Sequence, residues 1–287
     1  MQKIISRRKF LKKSIKTILT TTSIFVGGYS YSKYIEPKWI QISNHRIKHP
    51  LIPKSFHQFK IVQFSDTHLG FNFSLNHFSK VLKEIQLLEP DLIIFSGDLI
   101  DDFLSFNQLY ETEALLKSLS APFGKYAVYG NHDHGGYGTE KYSILMERSG
   151  FQILHNDSVY ITQQNGEKIG LIGIDDAMLG RPNLLRATRN IQNQTYNILI
   201  SHAPDIADQA VIHPIHLQLS GHSHGGQVQI PFFGPLITPP YAENYVEGFY
   251  KINENYLLYV NRGLGTTRLP YRFLSRPELT IFQLHSP

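Results

Sequence analysis

Cysteine is absent from this chain of 287 residues. Its absence excludes disulfide bonds, iron–sulfur clusters and zinc held by thiolates. Any bound metal ion must therefore be held by His, Asp, Glu or Asn side chains. Because a protein without thiols is compatible with oxidising and reducing compartments alike, the cysteine count does not indicate where the protein resides.

A general excess of basic residues is also lacking, although the net charge is +5. Seven basic side chains fall within residues 1–16, a segment without a single acidic residue. The rest of the chain carries 21 basic and 23 acidic side chains. Proteins that bind the phosphate backbone of nucleic acids show a clear basic excess, so we expect no nucleic acid among the partners.

A long hydrophobic run is missing as well. Residues 18–31 are modestly apolar but shorter than the roughly 20 residues that span a bilayer. They follow Ser6-Arg7-Arg8-Lys9-Phe10-Leu11-Lys12, which closely matches the twin-arginine export signal. We find no clean Ala-x-Ala cleavage site, so residues 1–32 are predicted to be a twin-arginine signal or a retained membrane anchor. The alternative is a basic, disordered terminus or a membrane-surface segment.

Residues 33–58 form a Pro-containing connector, in which Ile40 and Ile42 indicate a short edge strand. From residue 59 onward, apolar strands at 59–65, 91–95 and 125–129 alternate with amphipathic helices, one of them expected over 106–119. This alternation predicts a parallel sheet. The second half contains many short strand-like runs and short helices, expected over 184–191 and 205–212. It therefore predicts a second sheet packed on the first, within one domain over 59–287.

The predicted strands end in polar residues that can bind metal ions. These residues are Asp66, His68, Asp98, Asn131, His132, His202, His222 and His224. Taken singly, each has a structural explanation as a helix cap, a turn residue or a packed core histidine. Their shared position at strand ends favours one site, because ligands bind at the carboxyl ends of strands in open α/β sheets.

The number of candidate ligands predicts two metal ions. Five or six donors exceed one tetrahedral site, and a mixture of Asp, His and Asn suits Mn, Zn or Fe. A carboxylate can be shared between two such ions, and the water between them loses a proton near neutral pH to become a nucleophile. The same pair of ions can bind the oxygens of a phosphoryl group.

The ordered motifs Asp-x-His, Gly-Asp, Gly-Asn-His-Asp, a lone His and Gly-His-x-His resemble those of the calcineurin-like metallophosphoesterases. The resemblance covers about residues 59–285. Three further tracts, at 221–227, 231–235 and 261–266, resemble a narrower bacterial, membrane-associated subgroup. That subgroup includes twin-arginine-exported phosphodiesterase-like proteins and relatives that act as UDP-2,3-diacylglucosamine hydrolases.

The resemblance implies an α/β fold, a four-layer α/β/β/α sandwich of two mixed sheets flanked by helices. It also implies two groups of metal ligands joined by a bridging carboxylate. The first group is Asp66, His68 and His224, the bridge is Asp98, and the second group is Asn131, His202 and His222. His132 is expected to contact phosphate as a general acid or charge stabiliser, held in place by Asp133.

The expected function is a dinuclear metal-dependent phosphoesterase, most simply a phosphodiesterase, at the membrane or cell envelope with its catalytic domain outside the cytoplasm. Its expected partners are a phosphoester substrate, lipid-linked in one alternative, and the twin-arginine export machinery. One alternative is a UDP-2,3-diacylglucosamine-type lipid pyrophosphatase at the cytoplasmic face. Another is a metal-containing envelope-binding module without catalysis.

Several other residues are candidates for substrate contact. Arg262 follows a strand and is predicted to bind a substrate phosphate, with pairing to a loop carboxylate as the alternative. The remaining candidates are Arg181, Arg268, Arg272, Tyr241 and Tyr245. Asp175 and Asp176 are interpreted as structural. The apolar side chains Phe232 and Phe233, with Tyr241, form either a rim for a lipid-like substrate or an ordinary surface loop.

Overall fold

The computed structural model describes residues 6–135 and 138–287, so the first five residues of the expected export signal lie outside the described part. The α-helices, numbered along the chain, are α1 (Arg7–Ser30), α2 (Leu75–Leu87), α3 (Leu109–Lys117), α4 (Asn131–His134), α5 (Gly138–Arg148), α6 (Leu184–Thr188) and α7 (Ala207–Ala210).

The strands form two six-stranded sheets and a small hairpin. They are β1 (Gln41–Lys48), β2 (Lys60–Phe64), β3 (Leu92–Phe95), β4 (Lys125–Ala127), β5 (Phe151–Ile153), β6 (Asp157–Thr162), β7 (Lys168–Gly173), β8 (Asn197–Ile200), β9 (Leu217–Ser220), β10 (Gln229–Ile230), β11 (Gly234–Pro235), β12 (Gly248–Asn253), β13 (Tyr256–Val260) and β14 (Glu278–His285).

Both large sheets are mixed. The first has the order β1-β14-β2-β3-β4-β5, in which β2 to β5 are parallel and β14 is antiparallel to β2. The second has the order β12-β13-β9-β8-β7-β6, with β7, β8, β9 and β13 parallel and an antiparallel strand at each edge. The strands that carry candidate ligands, β2, β3, β4, β8 and β9, therefore lie in the interior of their sheets.

The two sheets pack face to face because their buried strands alternate apolar side chains between two covered faces. Ile61 and Ile94 of the first sheet and Leu171 and Leu219 of the second belong to one buried cluster between the sheets. The opposite face of the first sheet packs on α2, α3 and α5, through residues such as Phe78 and Leu116. That of the second packs on α6 and α7. The prediction of two mixed sheets flanked by helices is confirmed.

The structure differs from the sequence-based expectation in where single elements end. β14 was expected among the strands of the second half, yet it inserts between β1 and β2 of the first sheet. The helix expected over 205–212 is divided into a 3-10 turn, Pro204–Ile206, and the four-residue α7. The helices expected over 106–119 and 184–191 are the shorter α3 and α6. Amphipathic spacing continues into the flanking turns, so it does not mark helix ends.

The N-terminal helix α1 has no buried residue. Its carboxyl end continues into a π-turn, Tyr31–Ile35, and a 3-10 turn, Glu36–Lys38, which contact the folded domain. Among the described residues, no helix combines the length and apolarity that crossing a membrane requires.

Candidate metal centre

The structure brings all seven predicted metal ligands together at the carboxyl ends of five neighbouring strands. Five of them adopt left-handed backbone conformations with positive φ, which are uncommon for residues other than glycine. These are Asp66 (φ 51°), His68 (φ 43°), Asp98 (φ 61°), His222 (φ 69°) and His224 (φ 52°). Strained backbone of this kind concentrates at functional sites, where the surrounding structure holds it in place.

The ligand atoms fall into two groups. In the first, His68 Nε2 lies 3.0 Å from His224 Nε2, which in turn lies 3.5 Å from Asp66 Oδ1. In the second, His202 Nε2 lies 3.1 Å from His222 Nδ1 and 3.2 Å from Asp98 Oδ2. The same Asp98 oxygen is 3.5 Å from His68 Nε2 of the first group. Asp98 therefore stands between the two groups.

This donor set fits divalent metal ions. A cation about 2.0–2.2 Å from each ligand atom separates neighbouring ligand atoms by about 3.0–3.5 Å, which matches the observed spacing. Asn131 Oδ1 is buried and has no hydrogen-bond partner in the described structure. An orphaned buried oxygen is costly, and a cation in the second group would satisfy it.

Hydrogen bonds to the protein fix the orientation of the imidazoles. His202 Nδ1 donates to the carbonyl oxygen of Ser96 at 2.7 Å, so its Nε2 faces the centre. His222 is held the other way round, because its Nε2 donates to the carbonyl oxygen of Pro240 at 2.9 Å. Such contacts select the tautomer and the ring orientation of metal-binding histidines.

Three of the candidate ligands have protonation states that suit cations, whereas Asp98 raises the pKa of His202 well above its usual range against the effect of burial. Burial lowers the pKa of His222 to about 3 and lowers the pKa of His224 well below its usual range. Both imidazoles are therefore neutral at physiological pH, as metal binding requires. Burial alone would raise the pKa of Asp98, but the neighbouring His202 and His132 hold it well below its usual range, so this carboxylate is ionised.

The glycines beside the ligands permit this close packing. A Cβ on Gly130 would overlap the Asp98 carboxylate, and a Cβ on Gly221 would overlap Ser65 and Asp66. The motifs Gly-Asn-His-Asp and Gly-His-x-His therefore require glycine at their first position for steric reasons.

His132 lies at the edge of the centre, and its partner is not the predicted one. Its Nδ1 donates to the carbonyl oxygen of Asp101 at 2.6 Å, which leaves Nε2 for the cavity that His132 lines. The expectation that Asp133 holds His132 is wrong. Asp133 instead accepts hydrogen bonds from the backbone N–H groups of Asp98, Leu99 and Gly130. It thereby fixes the loop that carries Asp98.

Asp101 is a functional residue that the sequence analysis missed. Its carboxylate accepts a hydrogen bond from His68 Nδ1 at 3.0 Å, and its carbonyl oxygen holds His132. The available signal was a second carboxylate three residues after Asp98 in Gly97-Asp98-Leu99-Ile100-Asp101. Ligating histidines usually have a carboxylate or carbonyl partner of this kind.

Arg272 has a structural role and does not face the cavity. Its guanidinium is completely buried and donates to the carbonyl oxygens of Gly265, Ser275 and Arg262 at 3.0, 2.9 and 2.8 Å. Ser275 Oγ in turn donates to the carbonyl oxygen of His224 at 2.8 Å. Arg272 therefore ties the loop of a predicted metal ligand to the loop after β13. Burial lowers the pKa of Arg272 to about 9.

Arg262 pairs with acidic side chains and does not line the cavity. Its guanidinium lies 3.4 Å from Glu278 and 3.6 Å from Glu247, and Arg262 is not among the residues that line the cavity. The alternative of pairing with loop carboxylates is thus the observed one. Arg268 lines the cavity instead.

The other candidates are placed as follows. Asp175 accepts hydrogen bonds from His134 and from the Arg181 N–H, and Asp176 accepts from the N–H groups of its own turn, as expected of structural residues. Tyr245 donates to Asp208 at 2.7 Å and does not line the cavity. Tyr241 is partly exposed.

A cavity of about 440 Å³ opens onto the centre. One wall consists of the polar residues Asp98, Asn131, His132, His222 and His224. The remaining lining includes the apolar side chains of Met178, Val228, Leu236, Ile237, Pro239 and Leu269, together with Ser223, Gln227, Thr267 and Arg268. The cavity therefore offers a polar end for a phosphoryl group and an apolar space for what is attached to it.

Residues 59–226 match the family model of the calcineurin-like phosphoesterases. The chain belongs to this family and is a metal-dependent phosphoric ester hydrolase, in keeping with the His and Asp groups that can hold metal ions. Family membership argues against the alternative of a binding module without catalysis.

Three relatives show how far the similarity extends. YkuE of Bacillus subtilis, an uncharacterized metallophosphoesterase, is 46% identical over 99% of both chains. The phosphodiesterase YaeI of Escherichia coli is 29% identical over 98% of this chain and 100% of its own. The UDP-2,3-diacylglucosamine pyrophosphatase LpxG of Chlamydia muridarum is 28% identical over 90% of this chain and 93% of its own.

Proposed function

We propose that this hydrolase is a phosphodiesterase that uses two divalent metal ions at the membrane or cell envelope. The observation that carries the proposal is the pair of ligand groups joined by Asp98, at the polar end of a cavity with a large apolar wall. A phosphodiester has one negative charge and two organic substituents, so it matches a cavity with one polar wall.

Each ligand group has a specific task in this proposal. Asp66, His68 and His224 would hold one ion, Asn131, His202 and His222 would hold the other, and Asp98 lies where it could serve both groups. The mixed oxygen and nitrogen donors suit Mn, Zn or Fe. When bound, such ions polarise phosphoryl oxygens and lower the pKa of the attacking water. Residues such as Asp101 and Asp133 keep the ligands and their loops in place.

His132 is proposed to protonate the leaving oxygen. Its Nδ1 is held by the Asp101 carbonyl oxygen, so the ring presents Nε2 to the cavity. A leaving alkoxide needs a proton, and a positioned histidine can supply it. The ring of His132 packs edge to face on the ring of His68, with the two ring centroids 4.5 Å apart. This contact fixes the orientation of the His132 ring relative to the candidate ligands.

An activity screen tests the proposal. The protein, loaded separately with Mn²⁺, Zn²⁺ or Fe²⁺, is given bis-p-nitrophenyl phosphate and p-nitrophenyl phosphate. We expect a higher kcat/KM for the diester. A higher value for the monoester would refute the diesterase assignment, and no hydrolysis with any metal would refute the proposed function.

A second candidate is a lipid pyrophosphatase. It is favoured by the apolar lining of the cavity, together with the similarity to LpxG. Its substrate would be a UDP-linked diacyl sugar, which is made in the cytoplasm, so this function requires the catalytic domain to face inward. Release of UMP from such a lipid, with little activity on simple diesters, would favour it over the first proposal.

Export through the twin-arginine pathway is part of the first proposal. It is supported by the Ser-Arg-Arg-Lys-Phe-Leu-Lys sequence at the start of α1. The pathway receptor reads the arginine pair, for which lysine is not equivalent, so Arg7→Lys with Arg8→Lys should retain the protein in the cytoplasm. Protease added to cells stripped of their outer layers measures this. Equal digestion of wild type and double variant would show that export does not use this route.

A further inference from the structure

A short apolar hairpin projects from the rim of the cavity. It comprises β10, β11 and the residues around them, 229–237, and we call it the rim hairpin. Phe232 is fully exposed at its tip, Phe233 is 86% exposed, and Leu236 and Ile237 are also largely exposed. Contiguous exposed apolar surface on a folded protein marks an interaction site rather than an ordinary loop.

The composition of the rim hairpin separates it from other surface segments. Between Asp208 and Glu243 the chain contains no Asp, Glu, Lys or Arg. Placing the rim hairpin in an apolar medium therefore removes no charged side chain of the hairpin from water. Phe232 also has a φ of 72°, a conformation that is costly for a bulky side chain. The turn is closed by a hydrogen bond of 3.0 Å from the N–H of Phe233 to the carbonyl oxygen of Ile230, but the ring of Phe232 is left fully exposed.

The rim hairpin is continuous with the apolar wall of the catalytic cavity. Leu236 and Ile237 belong to both, and the N–H of Leu236 donates to the carbonyl oxygen of Val228 in that wall at 3.1 Å. Across the mouth, Leu269 lines the cavity and is half exposed, next to the exposed Arg268. The apolar side chains Leu236 and Ile237 thus connect the outer surface of the rim hairpin to the cavity that opens onto the metal centre.

The basic helix α1 attaches beside the rim hairpin. Its last turn packs through Tyr29 on Tyr271, with ring centroids 5.6 Å apart, and the next residues pack through Tyr31 on Phe273. Phe273 is hydrogen-bonded through its carbonyl oxygen to the N–H of Gln229, the first residue of β10. Within α1 there are six basic and no acidic residues. The carboxyl end of α1 is therefore anchored next to the rim hairpin, and its basic residues lie in its amino-terminal half, at 7–16.

We propose that the rim hairpin inserts into an anionic lipid bilayer and so places the mouth of the cavity on the membrane surface. Its apolar tip enters the acyl region, while Arg268 and the basic residues of α1 contact anionic headgroups. The consequence of this insertion rests on the proposed function: lipid-linked phosphoester substrates reach the metal centre without leaving the membrane.

A bilayer explains the combination better than a protein partner does. A protein interface has a polar rim and needs shape complementarity around its apolar centre. The rim hairpin instead exposes a short apolar tip, and the exposed Arg268 lines the same cavity. Amphipathic membrane-surface segments have this arrangement of aromatic and aliphatic side chains next to cations.

The absence of cysteine allows a direct test on the full-length, metal-loaded protein. Phe233→Cys creates a single labelling site for an environment-sensitive fluorophore. Ile212→Cys is the matched control, because Ile212 is 85% exposed but precedes β9, at the opposite end of the sheet from the ligands. With vesicles of phosphatidylcholine and phosphatidylglycerol, we expect a blue shift and protection from aqueous iodide at position 233 only.

The label also separates insertion from simple tethering through α1. If α1 alone binds the vesicles, the protein sediments with them while iodide reaches positions 233 and 212 equally, and this result overturns the proposal. Protection at position 233 without vesicles, increasing with protein concentration, overturns it in favour of self-association. The fluorescence of the labelled proteins does not depend on catalysis. An inactive wild type would therefore refute the proposed function, while the fluorescence result would still decide whether the rim hairpin inserts.

A second measurement uses vesicle sedimentation. Phe232→Ser with Phe233→Ser should weaken partitioning by about a hundredfold or more, because each buried Phe contributes about tenfold or more. The control pair Leu87→Ser with Ile212→Ser removes equally exposed apolar side chains from the other end of the sheets and should leave partitioning unchanged. Equal partitioning of both double variants and the wild type would contradict insertion of the rim hairpin.

Discussion

His132 is the residue whose role is most open to direct kinetic test. If it protonates the leaving oxygen, His132→Ala keeps both metal ions and loses turnover by roughly 10²–10⁴-fold. The loss should be large for alkyl esters and small for p-nitrophenyl esters, since p-nitrophenolate hardly needs a proton. The measurement is kcat for aryl and alkyl diesters in both proteins.

His155→Ala is the control for this comparison, because His155 is exposed and pairs with Asp175 rather than with the predicted ligands. An equal fall in kcat for both ester types in His132→Ala would contradict the acid role. A raised KM with unchanged kcat would instead indicate that His132 only binds the substrate.

The pair formed by His134 and Asp175 predicts a pH-dependent stability. His134 Nε2 lies 2.6 Å from Asp175 Oδ1. Although burial opposes both shifts, Asp175 raises the pKa of His134, and His134 holds the pKa of Asp175 well below its usual range. The contribution of His134 is complete below its unfolded pKa of about 6.5 and is lost as pH rises through the folded value. That of Asp175 is present above about pH 4 and is lost in acid.

His134→Gln should therefore lower the free energy of unfolding by about 1–2 kcal/mol near pH 5.5 and by less near pH 9. Urea unfolding at the two pH values measures the cost. A double-mutant cycle with Asp175→Asn isolates the energy of the pair. A cost that does not change with pH would show that the pair contributes no ionic interaction.

At the scale of elements, the turns after α1 are part of the support of the metal centre. Glu36 is completely buried, and its Oε1 accepts a hydrogen bond from the N–H of Ser275 at 2.6 Å. The carbonyl oxygen of Ser32 accepts from the N–H of Arg272 at 2.9 Å. Both contacts reach the loop that holds His224 in place, so the turns that follow α1 pack as part of the folded structure.

Glu36→Ala should lower the free energy of unfolding by about 1–3 kcal/mol, because it leaves a buried N–H unpaired. It should also weaken metal binding through the loosened loop of His224. Glu89→Ala is the control, since the side chain of Glu89 is 87% exposed. Urea unfolding and metal titration test the two effects, and equal behaviour of both variants would contradict a supporting role for the connector.

The interior strands and the position of the candidate ligands at their ends could be predicted from the sequence for one physical reason. A strand that is buried on both faces has a nearly continuous apolar sequence, and the polar residues that follow it mark its carboxyl end. Asp66, Asp98 and His202 lie at such ends. The support of the ligands could not be predicted in the same way. Asp101, Arg272 and Glu36 act through backbone carbonyl and N–H groups of distant loops, and such contacts depend on the tertiary arrangement.

The placement of β14 also required the structure. Its apolar sequence suits an interior strand of either sheet, and only the chain path decides which one it joins. Arg262 and Arg272 show the same limit for side chains. Both follow or flank a strand near the centre, yet one pairs with Glu278 and the other is buried among carbonyl oxygens. Residue type and position alone do not distinguish these from substrate-binding arginines.

At the scale of the whole molecule, both sheets contribute residues to each of the two ligand groups. β2, β3 and β4 of the first sheet carry Asp66, Asp98 and Asn131, and β8 and β9 of the second carry His202, His222 and His224. Each proposed ion therefore has ligands from both sheets. Metal binding should depend on the packing of the sheets against each other, and bound metal should in turn stabilise that packing.

Asp98 stands between the two ligand groups, so its removal should affect both proposed metal ions and the hydrolysis that depends on them. The most direct measurement is the metal content of purified wild type and Asp98→Ala by elemental analysis, alongside hydrolysis of bis-p-nitrophenyl phosphate. We expect the wild type to contain two ions per chain and to be active. We expect Asp98→Ala to lose both ions and its activity while it remains folded by circular dichroism. A folded Asp98→Ala protein that retains two ions per chain would contradict this expectation.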